Sequence, residues 1–251
     1  LRIQYPDTLF EGCASGGMRM ELEALRHFDV HFLSDTINVL DALRVYEANL
    51  LRMPPGRITR RLSLRSVGRK IPQYPGTVAS APESLVTAGA AGWQPRQIPE
   101  VIDLDFAVLS AMPGIPGLGA DPAGLSPEAR SRIKQHIAFY KQWREFIIGS
   151  YAHLLTQPHL ITDRTGWTSF QLCHTERPES LVFVYRLQDV RSRRIYRLHG
   201  LEPDRCYEIS VYPESSGDTV RRIDGRTLMT AGLDVFLEKP EKAGIYIIKP
   251  S

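Results

Sequence analysis

Apolar and polar positions follow two alternating periods in the N-terminal part of the chain. Thr8-Leu9-Phe10-Glu11-Gly12-Cys13 is a short apolar segment that ends at the turn Ala14-Ser15-Gly16-Gly17. Met18, Leu22 and Leu25 then recur at i, i+4 and i+7, the spacing of one helical face, and predict a helix running to about Phe28. Val30-His31-Phe32-Leu33 reads as a second strand, closed by Ser34-Asp35. A second helix follows, with Leu40, Leu43 and Leu50 on one side and Asp41, Arg44 and Glu47 elsewhere. Pro54-Pro55-Gly56 stops it. Strand, helix, strand, helix with short connections predicts α/β structure, a parallel sheet or barrel.

The pattern is weaker further on. Residues 53–100 carry Pro72, Pro75, Gly76, Pro82, Gly89, Gly92, Pro95 and Pro99, and read as a long loop around one strand near Ile58 to Val67. Val101 to Met112 is a strand-like run ending in the Gly/Pro-rich turn Pro113 to Gly119. Ser126-Pro127-Glu128 is a helix start, with Ser as N-cap, Pro at the first helical position and an acid in the first turn. Ile133, Ile137, Tyr140, Arg144 and Ile147 continue one stripe to about Ile148, the stem of Arg144 snorkelling across the aliphatic gap. Beyond Tyr151 the pattern changes to short β-rich runs. These are Trp167–Cys173, Leu181–Arg186, Ile195–Leu198, Cys206–Val211, Val220–Ile223, Leu233–Leu237 and Ile245–Ile248. Turn signals separate them and no helical period intervenes, which predicts an all-β sandwich over 152–251 after an α/β part over 1–151.

Composition narrows the class. The 251 residues carry 31 Lys plus Arg against 28 Asp plus Glu, a formal charge of +3, with 43% hydrophobic residues. Such a chain buries a core, which excludes disorder, collagen and a disulfide scaffold. The three cysteines, Cys13, Cys173 and Cys206, are far apart and form no CxxC pair, so reduced thiols and no metal site are expected. The longest weakly polar stretch, Phe106 to Ala120, is broken by Pro113 and Pro116 and falls short of a roughly 20-residue membrane span. The chain opens Leu1-Arg2-Ile3-Gln4, without an initiator Met or a signal-peptide pattern. The expectation is a cytoplasmic protein whose parent is longer than this chain.

Candidate chemistry starts from spacing. Cys13 and Asp35 lie 22 residues apart, at the C-terminal ends of two successive strands separated by one helix. In a parallel barrel those ends share the face that carries active sites. Gly16 and Gly17 let the backbone turn sharply and expose its amides to a ligand. Bland readings stand beside these. Asp35 or Ser34 can cap the following helix, the glycines can be a plain turn, and Cys13 can be inert packing. Two further features point elsewhere. Arg57, Arg60, Arg61, Arg65, Arg69 and Lys70 form a basic run without the aromatic interleaving of a nucleic-acid module, so it reads as a solvated or subunit-facing strand. His27 and His31 have metal-pair spacing but straddle a helix-to-strand break.

Together the motifs resemble a known family. Glu11-Gly12-Cys13-Ala14-Ser15-Gly16-Gly17-Met18-Arg19 matches the E-x-C-x-S-G-G-x-R pattern of the family 36 glycoside hydrolases, the α-galactosidase and raffinose-synthase group. Phe32-Leu33-Ser34-Asp35 falls where that family has W-x-S-D, and Tyr140-Lys141-Gln142-Trp143-Arg144 resembles the Y-K-x-x-R of its last barrel helix. Arg197 to Pro203 and Leu228 to Leu233 resemble its C-terminal β-domain. The resemblance implies the C-terminal half of a (β/α)8 barrel over 1–151, loop-rich at 53–100, followed by a β-sandwich over 152–251. It implies a retaining α-glycosidase acting on α-linked galactosyl oligosaccharides, with no cofactor and no nucleic-acid or membrane partner. Homo-oligomerisation of the full-length protein is compatible with it. Asp35 matches the general acid/base; Cys13, Ser15, Gly16 and Gly17 match the loop that contacts sugar hydroxyls; Arg19 would hold that loop.

Some parts of the pattern are missing. The family's nucleophile is an Asp in a K-W-D-like strand just before the cysteine strand, and nothing between Leu1 and Thr8 fits; Asp7 lacks the Lys-x partner. The expectation is that the chain starts after that strand and is inactive alone. Ser34-Asp35-Thr36-Ile37-Asn38 stands in place of S-D-N-T-D, Phe32 in place of Trp, and no histidine-bearing seventh-strand motif is visible in Arg57 to Val67. These departures put the galactose preference in question. Two other functions share the residues. A raffinose-synthase-type galactosyl transferase uses the same acids, and a non-catalytic carbohydrate-binding fragment could use the aromatics Trp167, Phe170, Tyr185, Tyr196, Tyr207 and Tyr212, which core packing explains as well.

Overall fold

A computed structural model describes residues 3–14, 16–36, 38–66, 85–88, 100–119, 122–214 and 220–251. Its α/β part contains β1 (Glu11–Gly12), α1 (Leu22–His27), β2 (Val30–Phe32), α2 (Val39–Asn49), β3 (Ile58–Ser66), β4 (Leu85–Ala88), β5 (Glu100–Asp103), α3 (Leu104–Ala111), β6 (Ile115–Gly119) and α4 (Pro127–Gly149). β1, β2, β3 and β6 are parallel neighbours in that order, and β4 and β5 extend the sheet in antiparallel fashion from the far end of β3.

Several elements differ from the sequence pattern. The run Val101 to Met112 is not one strand. Asp103 ends β5, and its side chain accepts a hydrogen bond from the Phe106 amide at 3.1 Å, which starts α3. α3 is buried on every side, so its sequence has no polar face to betray a helix. Pro113 to Gly119 is not simply a turn, because Ile115 to Gly119 pair in parallel with Thr59 to Ser63 of β3. The stripe drawn on α4 is also rotated. Ile137 is exposed, and the buried face is Ala129, Ile133, His136, Phe139, Trp143, Phe146 and Ile147. Large aromatic surfaces outweigh the aliphatic positions there. α1 is six residues long, and Met18 and Leu22 of its supposed apolar face lie open to solvent.

The rest of the chain is mostly antiparallel sheet: β7 (Ser150–Leu154), β8 (Trp167–His174), β9 (Ser180–Arg186), β10 (Arg193–Tyr196), β11 (Cys206–Tyr212), β12 (Arg221–Asp224), α5 (Gly225–Thr230), β13 (Leu233–Phe236) and β14 (Lys242–Pro250). Six strands form one sheet in the order β12-β11-β14-β9-β8-β7, and β10 pairs with β13 in a second. The seven predicted strands are all present. The helix α5 departs from the expected absence of helical period after Tyr151; Asp224 caps it, accepting from the Thr227 amide at 2.8 Å.

The large sheet is covered twice. Val182, Val184, Tyr207, Ile209, Tyr246 and Ile248 pack one face against Tyr196, Leu198, Leu228, Leu233 and Val235. Phe170, Leu172, Leu181, Phe183, Tyr185 and Ile245 pack the other against Leu43, Tyr46, Phe106, Leu109 and Phe146 of the α/β part. All seven residues of β9 are buried for this reason. One polar network crosses the same boundary. Arg44, fully buried on α2, donates to Glu47 at 3.2 Å, to Thr168 at 2.7 Å and to the carbonyl oxygens of Asp163 and Thr165 at 3.2 and 2.7 Å. Burial pushes the Glu47 carboxyl up, against the pull of Thr156 and Arg44.

Candidate functional site

The parallel strands fix which residues share a face. Glu11 pairs with Val30 and Phe32 with Thr59, so side-chain alternation puts Glu11 and Cys13, Phe32 and Ser34, and Thr59 and Arg61 on one side. Leu33, Ile58, Leu62 and Leu64 point to the other side and enter the core. Among the described residues the first side is mostly polar and open.

A turn at its rim brings the predicted residues together. The Met18 amide donates to the Ala14 carbonyl at 3.0 Å and closes the hairpin after β1. Gly16 and Gly17 have φ of 72° and 87°, in the left-handed region where a Cβ is strained. Space forbids a side chain as well. A Cβ on Gly16 would stand 2.4 Å from the Asp35 amide nitrogen and 2.9 Å from the Asp35 carboxyl carbon, and one on Gly17 would stand 2.1 Å from the Leu33 carbonyl oxygen. The hairpin therefore sits directly on the loop that carries Asp35. Glycine is required by contact with the acid, beyond the needs of a plain turn.

Asp35 does not cap α2. That role belongs to Asn38, whose Oδ1 accepts from the Leu40 and Asp41 amides at 3.0 and 3.1 Å. Ser34 accepts instead from the Thr36 amide at 3.1 Å. The capping reading is thus removed for both residues, and the half-buried Asp35 is left beside the glycine hairpin. Cys13 is an exposed free thiol, contrary to the packing reading. Ser15 lies outside the described residues. Arg19 is exposed just past the hairpin.

Residues that the sequence reasoning passed over line the same face. The Glu11 carboxylate accepts from Thr59 Oγ1 at 2.5 Å and pairs with the Arg61 guanidinium at 3.2 Å. Arg61 also lies over the Phe32 ring, 4.9 Å from its centroid. Ser34, Thr36, Thr59 and Arg61 border one small cavity with Phe32. The period-2 offset between Glu11 and Cys13 was the available signal. Under the hairpin, His31 is 1% exposed, its Nδ1 lies 2.7 Å from where a Gly12 Cβ would stand, and neither ring nitrogen has a hydrogen-bond partner among the described residues. Burial and then the charge of Arg57 lower its pKa.

The basic run is a solvated strand only in part: Arg57 and Arg61 are exposed and Arg60 is not. Arg57 donates to the Phe28 and Asp29 carbonyls at 3.2 and 3.0 Å. Arg60 is buried and donates to the Ala42 and Ser110 carbonyls. Arg69 and Lys70 lie outside the described residues. The β-domain aromatics Trp167, Phe170, Tyr185, Tyr196 and Tyr207 are core residues, and Tyr212 stacks on Phe139 with centroids 3.7 Å apart. Among the described residues no group of three or more His, Cys, Asp or Glu is placed to hold a metal ion, and no helix is long and apolar enough to cross a membrane.

Comparison with known proteins agrees with the motifs. Residues 167–248 match the model of the glycosyl hydrolase family 36 C-terminal domain. The chain is 28% identical, over 95% of its length, to the bifunctional alpha-galactosidase/sucrose kinase AgaSK of Mediterraneibacter gnavus, covering 22% of that protein. It is 22% identical, over 97% of its length, to an alpha-galactosidase of Escherichia coli, covering 32% of it. All of the chain superposes on 30% of the solved galactosidase domain of AgaSK, with a TM-score of 0.74 and 24% identity. A raffinose-bound family 36 alpha-galactosidase AgaA from Geobacillus stearothermophilus gives the same TM-score and coverage at 18% identity. The chain spans between about a fifth and a third of the length of these curated relatives.

Proposed function

We propose that this chain, a relative of the family 36 glycoside hydrolases, is the C-terminal part of a retaining α-glycosidase that takes α-galactosyl oligosaccharides. Residues 1–151 would form the second half of a (β/α)8 barrel, and 152–251 the β-domain behind it. One observation carries this reading: the glycine hairpin after β1 rests on Asp35, and Asp35 is free of capping duty.

In this mechanism Asp35 gives its proton to the glycosidic oxygen as the bond to the anomeric carbon breaks. It then takes a proton from the water that opens the glycosyl-enzyme ester. Cys13 Sγ and the backbone around Ser15, Gly16 and Gly17 bind the sugar hydroxyls, and Arg19 supports the loop. The attacking carboxylate comes from outside this chain, on a strand beside β1. Two features support that placement. Among the described residues β1 pairs with β2 alone, leaving its other edge open, and the face bearing Cys13 is polar and uncovered. An unpaired strand edge is a site for another strand.

The test uses the polypeptide that completes the barrel. Asp35→Asn should slow hydrolysis of unactivated α-galactosides by about 10²- to 10⁴-fold while largely sparing cleavage of activated aryl α-galactosides. Equal losses on both would remove Asp35 from the acid role. The 251-residue chain by itself should show no turnover, and measurable α-galactosidase activity from it would contradict the reading.

A further inference from the structure

We propose that Arg61, clamped between Phe32 and Glu11, is the residue that reads the hydroxyls on the far side of the sugar ring and so sets specificity at this site. The inference rests on the reading of Asp35 as acid/base, and extends it to a residue with no assigned part in it. Two contacts fix the guanidinium, and a third holds its partner. It pairs with Glu11 at 3.2 Å, it lies 4.9 Å over the Phe32 ring, and Glu11 is itself held by Thr59 at 2.5 Å. These contacts hold one donor and one face of a planar group with five N–H donors, and the side chain remains largely exposed on the open face.

Depth decides what Arg61 can reach. Asp35 lies three residues past Phe32, at the C-terminal rim of the sheet. Arg61 grows from β3 near that rim, but its guanidinium folds back over Phe32 to meet Glu11, which pairs with Val30. At about 3.3 Å per residue along a strand, the guanidinium lies roughly 10 Å below the backbone of Asp35. A pyranose ring whose glycosidic oxygen faces Asp35 spans that depth. Its C4 and C6 substituents, opposite the anomeric carbon, then meet the Arg61 donors and the Glu11 carboxylate. The pair is neutral overall, which suits hydroxyls and disfavours an anionic sugar. A preorganised fork of this kind rejects a sugar lacking its partner hydroxyl, because donors that the bound ring shuts off from water are then left unpaired.

Direct binding tests this without turnover. In the full polypeptide carrying Asp35→Asn, affinities would be measured for methyl α-galactoside and its 2-deoxy, 4-deoxy and 6-deoxy analogues. Arg61→Met and Arg61→Lys should each weaken galactoside binding by about ten- to a hundredfold. They should also shrink the penalties for the 4-deoxy and 6-deoxy analogues while leaving the 2-deoxy penalty intact. Partial unfolding weakens every apparent affinity of one variant by the same factor, so the deoxy penalties, which are ratios, stay readable. Unchanged 4-deoxy and 6-deoxy penalties, or an equal change in all three, would overturn the proposal. Failure of the acid/base reading shows elsewhere, as undiminished hydrolysis by Asp35→Asn, and does not alter these affinities.

Discussion

The parallel sheet and the large antiparallel sheet treat their two faces in opposite ways. The antiparallel sheet is buried on both, against β10, β13 and α5 on one side and α2, α3 and α4 on the other. The parallel sheet buries one face in the same core and leaves the other open, with Glu11, Cys13 and Arg61 exposed on it. Burial on both faces gives stability. The half-covered sheet loses apolar contacts but keeps polar groups within reach of a substrate. Substitutions in the two sheets should therefore fail in different ways.

The largest stability loss is expected where the two parts share a wall. Arg44→Met would strand the Glu47 carboxylate in the core and should cost about 3–5 kcal/mol. Phe183→Ala, from a fully buried position between both layers, should cost about as much. Chemical denaturation with unchanged slope would check both; a loss below about 1 kcal/mol in either would break the view of this sheet as the common wall. Gly16→Ala should cost less, about 1–2 kcal/mol for a left-handed residue, yet remove activity by pushing on the Asp35 backbone. Full activity in that variant would mean the hairpin is only a turn.

Acid should act on the packed side first. Burial alone would raise the Asp189 carboxyl, but the Arg191 amide and the Arg194 guanidinium hold it down to about 2. Asp105, hydrogen-bonded by Arg132 and His136 where α3 meets α4, is likewise held well below the carboxylate range despite its burial. Folded values below the unfolded one give stability that is fully present above about pH 4 and lost as pH falls through the depressed values. Melting temperature should drop across that window, and Asp105→Asn should flatten the slope. Smallest of all, Met18→Ser on the open side should shift stability by no more than about 0.5 kcal/mol.

What could be read from sequence follows the same divide. β-branched runs and turn chemistry gave seven of the eight strands from β7 to β14, missing β7, and alternating periods gave β1, α1, β2 and α2. Elements buried all round were misread, because α3 has no polar face and the aromatic stripe on α4 competes with an aliphatic one. The site was half legible. Cys13, the glycines and Asp35 stood out through motif and spacing, whereas Arg61 was hidden inside a basic run whose members face opposite sides of one strand. Only register separates Arg60, buried among helices, from Arg61 on the open face.

The role of Asp35 can be read most directly from the anomer formed in chemical rescue. In the complete polypeptide, Asp35→Ala with an activated aryl α-galactoside should accumulate the glycosyl-enzyme, and added azide should restore turnover by attacking it. An acid/base at this position predicts α-galactosyl azide, the retained anomer. The β-anomer would make Asp35 the nucleophile, and absence of rescue would remove it from the reaction altogether.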